Sequence, residues 1–99
     1  MVKITVKESA YEKYSLTTWQ GEVEINGEII TYRFSEDNNG AELFILTDDN
    51  WESANVDEET GNENHKILYS SILMLGNPEE LGDDGETAEI EEDELEDWI

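Results

Sequence analysis

Among its 99 residues the sequence has no cysteine, one proline, one histidine and five basic side chains. Each scarcity excludes something. Without cysteine there is no disulfide, no thiolate metal site and no thiol nucleophile. The lone histidine, His65, lies in a polar stretch and reads as a surface side chain, leaving nothing with which to build a histidine-based catalytic or zinc constellation. Carboxylate pairs of the glycosidase kind carry no information in a chain this rich in acids. No enzymatic activity and no cofactor are therefore expected. No stretch approaches the roughly 18 apolar residues of a membrane span, and the opening MVKITVKESA lacks the apolar core of a secretion signal. A cytoplasmic protein is the expectation, in the host cell if a phage encodes it.

What the chain has instead is acid. Twenty-seven Asp and Glu against Lys3, Lys7, Lys13, Arg33 and Lys66 give a net charge of -22. The charge is uneven: residues 1–46 hold eight acids and four bases, residues 47–99 nineteen acids and one base, for -4 and -18. Such a surface repels nucleic acid and anionic membrane and attracts basic partners.

The pattern predicts an α+β, mainly β domain: a small antiparallel sheet of four to five strands, one or two short helices and an acidic C-terminal segment. Val2, Ile4 and Val6 alternate with polar residues, the period of a half-buried strand. Asn26-Gly27 between two β-rich runs marks a hairpin, with strands near Leu16 to Ile25 and Glu28 to Phe34, and Gly21 suggests a bulge. The turn-rich SEDNNG leads into a short strand, AELFIL. Asp48 and Asp49 suit the cap of a short helix starting near Trp51. The run KILYSSILML, Lys66 to Leu75, reads as a central strand, although its length also permits a helix. Residues 1–78 are taken as the sheet domain and 79–99 as a mobile or loosely docked segment. In that segment like-charged i,i+4 pairs such as Glu89/Asp93 and Glu92/Glu96 oppose a helix.

Asp48, Asn50, Glu52 and Glu59 match positions 1, 3, 5 and 12 of a calcium loop, but Ser53 stands where the tight turn requires glycine, so no metal site is expected. The acidic tract carries more. Eight acids lie between Glu86 and Asp97. On a helix they would give about one charge per 2.2 Å, and extended about one per 5 Å, against about 1.7 Å for duplex DNA and about 3.4 Å for one of its strands. Ile90, Leu95, Trp98 and Ile99 break the tract with apolar groups able to dock on the sheet or enter a partner's apolar spot. The candidate partner-binding residues are Asp48, Asp49, Asp57, Glu58, Glu59, Glu79, Glu80, Asp83, Asp84, Glu86, Glu89, Glu91, Glu92, Asp93, Glu94, Glu96, Asp97 and Trp98.

In size, acidity and lack of cysteine the chain resembles the DNA-mimic inhibitors that phages make against host DNA-binding proteins, among them the inhibitor of the histone-like nucleoid protein HU. That resemblance implies a non-enzymatic protein that occupies a DNA-binding surface, with HU as the favoured partner. The run SSILMLGNPEE, Ser70 to Glu80, is similar to a Ser-Ile-Leu-Met-Leu run followed by Pro-Glu-Glu in the phage uracil-DNA glycosylase inhibitors. This alternative implies that Ser71 and Ile72 sit on an exposed inhibitory strand edge. From other classes, the composition also suits a general acidic chaperone for basic proteins. A homodimer paired through a free sheet edge is a further expectation.

Overall fold

The computed structural model describes residues 2–15, 18–37, 40–56 and 61–91, the side chains of residues 12–15 excepted. Alternating burial builds most of what it shows. Six strands, β1 (Val2–Ser15), β2 (Thr18–Ile25), β3 (Glu28–Asp37), β4 (Gly40–Thr47), β5 (Asn50–Ser53) and β6 (Thr87–Ile90), form one antiparallel sheet among the described residues. Its order is β5-β4-β3-β2-β1-β6. The first five make a meander, and β6 returns from the far end of the chain to pair with β1, Val2 opposite Ile90 and Thr5 opposite Thr87.

The Asn26-Gly27 turn forms as expected, both residues having positive φ. The SEDNNG cluster holds less turn than its composition suggests, since β3 runs on to Asp37 and β4 starts at Gly40. Asp48 and Asp49 do not cap a helix. At φ of 50° and 67° they are the two central residues of a hairpin turn between β4 and β5, with Thr47 opposite Asn50. Their short polar side chains tolerate this left-handed backbone at a modest cost. The helix expected near Trp51 is thus strand β5.

The apolar run is also not a strand. Helix α1 (Glu63–Leu75) begins at Asn62, whose Oδ1 accepts the His65 backbone N–H at 3.1 Å, and ends where Gly76, at φ 104°, donates its N–H to Ile72 O at 2.9 Å. The reason is tertiary. The meander leaves one apolar face, carrying Ile4, Val23, Ile25, Ile30, Tyr32 and Phe34, and a contiguous apolar run can cover it only as a helix, with Leu68, Ser71 and Ile72 fully buried. A 3-10 turn at Pro78–Leu81 follows, capped by Asn77.

The expected boundary at residue 78 does not divide the core. Leu81 and Ile90 belong to the same buried cluster as β1 and α1. Residues 79–91 are thus part of the domain, as its 3-10 turn and edge strand, while 92–99 lie outside the described residues.

Gly21 marks an irregularity without forming it. In β1, Glu8 pairs with Glu22 and Tyr11 with Gln20, so Ser9 and Ala10 together face Gly21. The extra residue is on β1, and glycine is needed opposite because a Cβ there would come 2.9 Å from the Tyr32 hydroxyl. No described helix is long and apolar enough to cross a membrane.

Candidate partner-binding surface

The acids of residues 79–91 occupy the end of the molecule built from the 3-10 turn, β6 and the β1 edge. Glu79 and Glu80 form the first turn of the 3-10 segment, where its free N–H groups favour negative charge, and the Glu79 N–H is accepted by Asn77 Oδ1 at 2.9 Å. The loop from Asp83 to Glu86 is fastened to β1 by two backbone bonds, Gly85 N–H to Val6 O at 2.7 Å and Val6 N–H to Glu86 O at 2.8 Å.

Two of its carboxylates are positioned further. Asp84 Oδ1 accepts the Ser9 backbone N–H at 2.6 Å, and hydrogen bonding from Ser9 holds this carboxyl below the ordinary aspartate range. Glu86 Oε1 accepts the Asp83 N–H at 2.9 Å. Glu89 stands opposite Lys3 in the sheet, and Glu91 follows β6 on the exposed surface. Six acids thus sit on elements tied to the core, with Glu91 directly after them. Here the backbone is extended from Thr87 to Ile90, so of the two charge spacings weighed for the tract the wider one applies to this stretch.

Asp48 and Asp49 are not part of this group. They lie at the turn into β5, the opposite edge of the sheet, about five inter-strand spacings or roughly 24 Å away. Asp57, Glu58, Glu59, Glu92, Asp93, Glu94, Glu96, Asp97 and Trp98 lie outside the described residues, as do Leu95 and Ile99. Ile90 does dock on the sheet, 4% exposed beside β1.

The structure adds acids that sequence reasoning passed over. Glu8 and Glu22 stand directly opposite each other on β1 and β2, an arrangement of like charges that costs a sheet stability. Only the register reveals that pair, and the residues lie 14 apart in a half of the chain that looks electrostatically ordinary. Lys7 Nζ approaches Glu24 at 3.8 Å, Thr31 Oγ1 donates to Glu22 at 3.1 Å, and Ser53 Oγ donates to Glu42 at 3.1 Å.

Ser71 and Ile72 are not on an exposed strand edge. Both are fully buried in α1, and the Ser71 hydroxyl donates to Ile67 O at 2.6 Å. The exposed edge that the glycosylase-inhibitor resemblance implies for Ser71 and Ile72 is therefore not formed. His65 is in the first turn of α1 and not in a loop, and burial holds its imidazole below the ordinary value against the opposing pull of Glu28. Asp48, Asn50 and Glu52 of the calcium-loop spacing fall on a hairpin while Glu59 lies outside the described residues, and no group of three or more potential ligands is assembled among the described residues. No family model, curated protein or solved structure matches the chain.

Proposed function

We propose that the protein is a non-enzymatic DNA mimic that occupies the DNA-binding surface of a basic host DNA-binding protein, with the nucleoid protein HU as the favoured target. The observation that carries this reading is the anchoring of six acids, Glu79 to Glu89, on a 3-10 turn, a tied loop and an edge strand that share the domain's core, with Glu91 directly after them. A backbone that is already ordered loses little further freedom on binding, so more of the attraction of its carboxylates appears as affinity. Five further acids, Glu92, Asp93, Glu94, Glu96 and Asp97, continue the same stretch of sequence.

In this mechanism the carboxylates pair with lysines and arginines that otherwise bind phosphates, and the partner's DNA is displaced. The net charge of -22 steers the encounter and makes association fast at low salt. Competition is the direct test: purified HU holding a fluorescent duplex is titrated with the protein. Displacement is expected, with at least tenfold weaker competition after Glu79, Glu80, Asp83 and Glu89 are changed to their amides. Failure to displace DNA, or an affinity indifferent to salt, would overturn the reading. Equal binding to polylysine would favour instead a general chaperone for basic proteins.

A further inference from the structure

We propose that the open face of the sheet is a homodimer interface whose occupant is a second copy of this chain. Helix α1 covers only one face. On the other stand all three exposed large apolar side chains of the described residues, Tyr11 at 40%, Ile29 at 60% and Leu46 at 37% exposure. Registry places them there: Tyr11 is opposite Gln20, Ile29 opposite Glu24 and Leu46 opposite Trp51, all pointing away from the helix. Arg33 stacks over the Trp51 ring at 4.1 Å, and a shallow hollow lined by Thr18, Arg33, Ser35, Phe44 and Trp51 lies beside them, shaped to receive an apolar side chain.

Charge identifies the occupant. Within the strands this face carries six acids, Glu8, Glu22, Glu24, Asp37, Glu42 and Glu89, and three bases, Lys3, Lys7 and Arg33, among the described side chains, a net of -3 in a molecule of -22. Three of the chain's five bases are gathered here. A strongly basic partner would meet those bases, and a strongly acidic one would meet the six carboxylates. A surface of mixed sign and exposed apolar groups is complementary to itself, as a two-fold interface must be. Six strands span roughly 24 Å, and strands of eight residues run roughly 27 Å. The plan area approaches the roughly 800 Å² that each partner contributes to a standard interface.

The dimer has an electrostatic signature. Two chains of like charge repel at long range, and salt screens that repulsion while leaving the apolar contact in place. Dimerisation is therefore expected to tighten as salt rises, the reverse of binding to a basic target. This separates the inference from the DNA-mimic reading, and either can fail alone.

Sedimentation of the whole chain at about 20 mM and about 500 mM sodium chloride tests it. The expected result is a monomer–dimer equilibrium shifted several-fold toward dimer at the higher salt. Ile29→Asp with Leu46→Asp should weaken it at least tenfold, with circular dichroism and the melting temperature showing that the fold persists. A monomer at all concentrations and both salts, a dimer that dissociates as salt is added, or one that the double substitution leaves intact through edge pairing would each overturn the proposal.

Discussion

Gly21 stands where a methyl group has no room. A Cβ would meet the Tyr32 hydroxyl at 2.9 Å and the Ala10 Cα at 3.2 Å, and neither retreats easily, because Tyr32 is buried and Ala10 is backbone in the irregular part of β1. Gly21→Ala is expected to cost about 1–3 kcal/mol, measurable as a lowered urea midpoint with unchanged slope. An unaltered midpoint would show that β1 shifts freely there. The sequence marked this glycine as special but could not say why, since its neighbours come from two other strands. Asp48-Asp49 teaches the same lesson. A short acid that bonds to nearby backbone serves equally as a helix cap or as a left-handed turn residue. The choice belongs to Leu46 and Trp51, which pair across the turn once the strands meet.

At the scale of elements, α1 is held more by what it covers than by its own preference. Tyr69, Leu73, Met74 and Leu75 are half-buried around the fully buried Leu68 and Ile72, and the Tyr69 hydroxyl donates to Ala41 O at 3.2 Å. Ser70 is the exception, because its Oγ is buried and has no hydrogen-bond partner. An unpaired buried hydroxyl costs about 1–3 kcal/mol, and serine is also a poorer helix former than alanine. Ser70→Ala should therefore stabilise the protein by about 1 kcal/mol, seen as a raised urea midpoint, and destabilisation would mean that the hydroxyl is satisfied. Asn62 caps this helix and Gly76 ends it, signals that the strand reading of Lys66 to Leu75 passed over. The edge strand β6 was the least legible element. Four residues among acids give no periodicity to read, and only the complement on β1 assigns Ile90 to the core.

For the whole molecule, charge governs both stability and partners. A net charge of -22 on 99 residues repels itself, and a surface ion pair such as Lys7 with Glu24 offsets little of it. Salt is expected to stabilise the fold: between about 20 mM and about 500 mM the melting temperature should rise, each 1 kcal/mol gained giving about 4–8 °C. A melting temperature that falls over this range would show that attractive pairs outweigh the repulsion.

By itself the sequence determined the amount and unevenness of the charge, the absence of thiol chemistry, the alternating strands and the Asn26-Gly27 hairpin, because each depends on composition or on neighbours close along the chain. Tertiary structure alone decided that the apolar run is a helix, that Leu81 and Ile90 join the core, and that basic and apolar side chains share the uncovered face. Those outcomes depend on which apolar surface remained to be covered after the meander closed, and on a register between residues far apart in the chain.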